Sequence, residues 1–392
     1  MRILVLRLIV FLLMVPAGGG EEIAVCRDVF REILESGLEL DETGRQRLFN
    51  GNIPPEEHID SLCQWTERLA RTVPKSFLQK NGTSLKGTAV FVTKFGTVYR
   101  VKLILPDHRE TGYREAVIFT PVIPNGWSVG QPMRESTAAA GVYLKTYQNV
   151  PIFAAPAMQW FPNTWLGRIG FDAAAFDRVP VYRVTERDQH DAESNRRAFK
   201  LTEFDSEPFY GLLRAVSAMP AGRLEQEAKR QQAESPVSVT ELFNNPRETR
   251  GKAVLLHGTA KRIIRTAVTD DEVQWLFGID FYYQIYLFTA ESQGNPIVVC
   301  VRSLPDGLQP GDSPDFAEQI TVAAVPYKLW IFETKKQPHY APLLIGREPV
   351  WHPKPVMPKP PSSAAAVSLT LFLTLWLIWF ACRQTALLNH RR

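Results

Sequence analysis

The seven residues Pro124–Gly130, PNGWSVG, return at Pro305–Gly311 as PDGLQPG. Four further landmarks recur in the same order. GTAVFV at Gly87 matches GKAVLLHG at Gly251, and VYRVKL at Val98 matches YYQIYLF at Tyr282. GVYLK at Gly141 matches VPYKL at Val325, and FAAP ending at Pro156 matches HYAP ending at Pro342. A kept order with variable spacing marks an internal repeat. Gly87 and Gly251 set its offset at 164 residues. Chance similarity of generic strands is the alternative reading. If the repeat is real, whatever one copy folds into, the other must fold into as well.

Each copy reads as short strands between Gly and Pro turns. In TVYRVKLIL, Tyr99, Val101, Leu103 and Leu105 alternate with Arg100 and Lys102, the period of a half-buried strand. Helical leaders precede the strands. EEIAVCRDVFREILESG carries an apolar stripe and ends at Gly37, while PPEEHIDSLCQWTERLARTVP places Pro55, Glu56 and Glu57 in a first turn and Arg68 and Arg71 in a last one. The expected fold class is α+β: two duplicated units, each a helical leader plus a small antiparallel β-barrel, followed by a single C-terminal transmembrane helix. The expected division is a signal peptide at 1–20, a helical leader at 21–80, a first barrel-like unit at 81–160 and a linker with helices at 161–235. A second barrel-like unit at 236–352, a Pro-rich stalk at 353–363, a membrane helix at 364–382 and a cytoplasmic tail at 383–392 complete it.

The two ends decide the compartment. MRILVLRLIVFLLMVPAGGG has a basic start, an apolar run and small residues before Glu21, a signal-peptide layout. Ala364–Cys382 is uncharged, and at about 1.5 Å per residue such a run spans roughly 28 Å, close to the hydrocarbon thickness. Trp376, Trp379 and Arg383 suit its interfacial end. A buried core helix is the competing reading. The expected location is the cell membrane, single-pass, with residues 21–363 outside the cytoplasm. Prolines 353, 355, 358, 360 and 361 make a semi-rigid spacer before the span. The formal charge of +4 comes from the flanks, because removing them leaves 40 Lys and Arg against 41 Asp and Glu. A nucleic-acid partner therefore loses its electrostatic basis.

No motif of catalysis stands in the chain: no G-x-S-x-G, no H-E-x-x-H and no glycine-rich phosphate loop. The seven histidines are scattered, so no cofactor or metal is expected. Asp270, Asp271 and Glu272 read as a solvated hairpin tip. Cys26 and Cys63 are candidates for a disulfide in an oxidising compartment, against the alternative of two small buried side chains. Aromatic residues are denser in the second copy. Trp275, Tyr283, Tyr286, Tyr327, Trp330 and Phe332 are candidates for a ligand face, against plain packing under the helices.

Five or so short strands per copy and a glycine-opened first strand resemble tandem OB-fold barrels, over roughly Gly87–Trp160 and Gly251–Trp351. The whole chain resembles single-pass envelope proteins of bacteria. The expected function is a membrane-anchored extracytoplasmic binding or scaffold protein with an envelope protein partner. One alternative is a receptor that takes an oligosaccharide or peptide on the aromatic face. Another is an envelope enzyme with a site assembled from distant residues.

Overall fold

The computed structural model describes residues 48–73, 78–79, 82–106, 112–180, 203–333, 338–353 and 363–389. The signal segment, the first helical leader, Cys26 and most of the proline spacer lie outside the described residues. The chain divides after Trp351 into a folded body and a C-terminal segment.

The body is mixed α+β with two six-stranded sheets built as repeated units. Helix α1 (Ile59–Thr72) opens the first unit, led in by a short 3-10 turn with Pro55 at its start and Glu56 and Glu57 in it. Strands β1 (Thr83–Phe95), β2 (Val98–Ile104), β3 (Glu115–Thr120), β4 (Pro132–Tyr147), β5 (Val150–Ala154) and β6 (Gln159–Trp160) follow. They pair in the order β1-β2-β3-β5-β4-β6, and β1 also pairs with β4, so five strands close on themselves. Ala89, Val92, Leu103, Ile118 and Phe153 fill the interior. Leu62, Cys63, Trp65 and Leu69 of α1 pack with Phe95, Phe119 and Ile152 in a second cluster.

The second unit repeats this closure. Helices α2 (Trp165–Arg168), α3 (Glu203–Ser217), α4 (Arg223–Glu234), α5 (Val239–Asn244) and α6 (Pro246–Thr249) lead to β7 (Val254–Ala267). Helix α7 (Asp271–Phe277), β8 (Phe281–Phe288), β9 (Ile297–Val301), β10 (Glu318–Glu333), β11 (Pro338–Gly346) and β12 (Val350–His352) follow. The order is β11-β9-β8-β7-β10-β12, closed by β10 on β11. Two expectations are corrected here. The sheets are not wholly antiparallel, because β3 pairs with β5 and β9 with β11 in parallel. Asp270 to Glu272 is no hairpin tip: Asp270 Oδ1 accepts from Glu272 N and Val273 N, which caps α7.

The register gives the repeat residue by residue. Thr88 faces Ile104 and Thr259 faces Phe288, with a bulge one pair later in each. Gly87 thus corresponds to Gly258, an offset of 171 rather than 164, and the shared sequence is Gly-Thr-Ala in both. VYRVKL against YYQIYL holds position for position. Lys145 pairs with Ile152 and Lys328 with Leu343, each just after a bulge. Pro151 therefore matches Pro342, and the expected match of Pro156 with Pro342 is corrected.

The repeated turn has one job in both copies. Trp127 N donates to Pro124 O and Leu308 N to Pro305 O. The glycine inside each turn lies against an indole, Gly126 against Trp160 and Gly307 against Trp351. Each indole Nε1 then donates to a carboxylate on the long strand, Trp160 to Glu135 at 2.7 Å and Trp351 to Glu318 at 2.8 Å. A side chain at either glycine would overlap the ring.

Helix α8 (Ser363–Asn389) is continuous, and its described side chains, 368–383, are exposed, Leu369, Phe372, Trp376 and Trp379 among them. Among the described residues no helix is long and apolar enough to cross a membrane. Of the expected transmembrane helix, the structure shows a helix with exposed apolar side chains and nothing further among the described residues.

Gly307 has φ +91°, and a Cβ there would meet Trp351 Cζ3 at 2.7 Å, whereas Gly130, at φ +80°, has open space. Gly307→Ala should cost about 2–4 kcal/mol and Gly130→Ala about 1–2 kcal/mol. Thermal unfolding of the two variants side by side checks the order.

Candidate functional site

Two lysines emerge at the same place in the two copies and are almost fully buried. Lys328 Nζ lies 3.0 Å from Asp205 Oδ2, with side chains 1% and 0% exposed. Asp205 belongs to the first turn of α3, and its carbonyl accepts from Tyr327 Oη at 3.0 Å. Lys145 donates to Ile53 O at 2.7 Å and sits 3.2 Å from His58 Nε2 at the start of α1. Burial pulls the Lys145 ammonium down to about 8, against the opposing charges of Glu56 and Glu57. Burial also lowers Lys328, opposed by Asp205. In each copy the lysine ties the start of the leading helix to the long strand.

Arg250 holds the segment between the copies. It donates to the carbonyls of Tyr327, Phe176 and Val179, and its guanidinium lies over the Phe176 ring at 5.4 Å. Trp165 Nε1 adds a bond to Gly251 O. These bonds seat the short 3-10 helix Ala173–Arg178 between the two sheets.

A cleft follows that seat. One cavity of about 230 Å³ is walled by Val122, Ile123, Pro156 and Met158 of the first unit and ended by Asp172, Asp177, Arg178 and Glu207. A second, of about 380 Å³, shares Gln79, Gln159, Asp172 and Glu207 and runs on along α3 to Leu276 and Phe277. Asp172 precedes the 3-10 helix as its cap: Oδ1 accepts from Trp160 N at 2.8 Å and from Ala174 N at 3.1 Å. Arg178 NH1 reaches Glu207 Oε2 at 2.7 Å, and Asp177 Oδ2 accepts from Asn125 N in the repeated turn. Burial raises the Asp172 carboxyl to about 6, against its backbone hydrogen bonds and the Arg178 charge.

The aromatic candidates do not converge. Trp275 is 53% exposed on α7, a helix rather than a strand. Tyr327 is wholly buried against Phe176 and Phe209. Trp330 and Tyr286 are half-buried against the α3 cluster, and Tyr283 packs against the interior of the second sheet. Phe332 of β10 pairs with His339 of β11, and its side chain lies outside the described residues. Cys63 is a buried free thiol 3.3 Å from Phe95 O. No group of three metal-ligating side chains occurs among the described residues.

Sequence reasoning missed the cleft, whose lining comes from seven separate stretches. Its one local signal was Asp172 before Ala173–Ala175, an N-cap pattern. No protein-family model matches the chain, and no curated protein matches it.

Breaking the buried pair with Asp205→Ala should cost about 3–5 kcal/mol, because Lys328 is left uncompensated. Asp205→Leu combined with Lys328→Met should cost less than half of that in denaturant titration. Asp172 gives a pH signature. A carboxyl with a folded-state pKa of about 6 and an ordinary value of 3.8 binds its proton more readily in the folded chain. Its contribution is best below about pH 4 and is lost as pH rises through about 6. Asp172→Asn keeps the Oδ1 acceptor and should gain about 1–3 kcal/mol at pH 7, with the gain vanishing at pH 4.

Proposed function

We propose that this protein is a membrane-anchored extracytoplasmic docking module whose partner is held in the cleft between the repeated units. The observation that carries the reading is the pair of contiguous cavities around Asp172 and Glu207, apolar along the walls and charged at the waist. Concave, mostly apolar sites with a few convergent polar groups are the usual form of a binding site. The strand order, closed identically in both copies, supports taking each as an OB-like barrel. The signal-like start and the uncharged run Ala364–Cys382 support export and anchorage.

A second reading is a receptor for an oligosaccharide or peptide on the aromatic β surface. It is favoured by one group on the second unit, where Arg265 lies 3.9 Å and Arg302 5.4 Å from the centroid of the Phe281 ring, beside Tyr283. Among the aromatic candidates, Tyr283 touches that group through the Phe281 ring. Substituting Arg265 and Tyr283 together would weaken a glycan ligand under this reading and leave cleft binding intact.

In the native host, a photo-crosslinking residue at Val122, in the cleft wall, should capture one reproducible envelope protein. The same residue at Lys229, exposed on α4, should not. Alkaline carbonate washing should leave the chain with the membranes. Release by carbonate would end the anchorage reading, and equal capture from both positions would end the docking reading.

A further inference from the structure

The charges around the first cavity are unequal. Three carboxylates, Asp172, Asp177 and Glu207, face a single guanidinium, Arg178. Glu207 engages that guanidinium, and a backbone amide engages Asp177. Asp172 receives both of its hydrogen bonds on Oδ1, and Oδ2 accepts none from the described residues. A mostly buried carboxylate with an open oxygen at the end of an apolar wall is costly to keep charged and is relieved by a cation. An anionic ligand would meet net repulsion there. A cation with no apolar body would leave the wall of Val122, Ile123, Pro156 and Met158 uncovered.

Resting on the reading of the cleft as the docking surface, we propose that its occupant is a polypeptide segment presenting a lysine or arginine, with the methylene stem along the wall and the cationic head at Asp172. Long basic side chains divide in this way between apolar surface and a polar end. The cavity of about 230 Å³ admits side chains rather than a folded element. Proton and ligand compete for the same oxygen. The groups facing Asp172 are Asp177 and Arg178 on its own 3-10 helix and Glu207 and Arg214 on α3, while the first unit contributes the uncharged Gln79, Asn125 and Gln159. Binding should therefore weaken as the Asp172 carboxyl takes up its proton below about pH 6.

The test uses the full chain in amphipol and three labelled peptides, acetyl-Ala-Leu-X-Leu-Ala-amide with X as lysine, norleucine or glutamate, read by fluorescence polarisation. The lysine peptide should bind at least tenfold more tightly than the norleucine peptide, and the glutamate peptide more weakly still. Affinity for the lysine peptide should fall about tenfold between pH 7 and pH 5. Asp172→Asn, which keeps the cap, should erase both the lysine preference and the pH dependence. Equal binding of the three peptides, or a preference untouched by Asp172→Asn, overturns the assignment while leaving the cleft a docking surface. Binding of none overturns it too, and crosslinking from Val122 then decides the docking reading separately.

Discussion

Each sheet closes through one sixteen-residue strand that takes two partners in succession along its length. The first half of β4 pairs with β1 and its second half with β5, and β10 divides itself between β7 and β11 in the same way. Such a strand has to bend between its partners, and a bulge is the usual means of bending it without losing the ladder on either side. The bulges fall between Tyr143 and Lys145 in the first copy and between Pro326 and Lys328 in the second. The residue beyond each is the buried lysine. The bulge inside the second pairing of each long strand thus sets the position of the side chain that fixes the leading helix.

The copies use the lysine differently. In the second, the amine meets the Asp205 carboxylate, and a buried pair of this kind contributes mainly because either partner alone would be intolerable. In the first, a backbone carbonyl and the ring nitrogen of His58 stand near the amine. The positions are held while the chemistry has drifted. A similar drift separates β2 from β8. Arg100 and Lys102 are neutralised by Glu56 and Glu115, whereas Gln284 and Tyr286 occupy the corresponding places in the second unit.

That drift also explains what was legible in the sequence. The turns at Pro124 and Pro305 and the β2 and β8 strands were readable, because their constraints are local: a glycine under an indole, and side chains alternating in and out. The first strand was misread by seven residues, since GKAVLLHG has the composition of GTAVFV although the shared Gly-Thr-Ala at Gly258 carries the structure. Hydrophobic strands resemble one another wherever they are placed, and only the bulge register tells them apart. Helix α7 was hidden because Asp270, Asp271 and Glu272 have the composition of a turn, while the cap at Asp270 and the left-handed Gly278 were the better signals. The cleft could not be read at all. Val122, Met158, Asp172 and Glu207 carry no common pattern, and only the folded linker brings them together.

The linker ends as the most consequential part of the body. Helix α3 turns about 100° per residue, so Asp205 and Glu207 leave it on roughly opposite sides. One carboxylate enters the second sheet and meets Lys328, and the other faces the cleft and meets Arg178. Phe209, Leu212 and Val216 hold the same helix against Tyr282 and Tyr327. The charge at the waist of the cleft is therefore set by a helix whose opposite side is locked in a core. Arg178 and Asp172 sit at the two ends of the 3-10 helix that Arg250 fastens through Phe176 and Val179. Neither side of the polar waist can shift without disturbing a buried ion pair or a triply bonded guanidinium. The cleft is rigid for the same reason that the two copies are joined, and a rigid site spends little of its binding free energy on ordering itself.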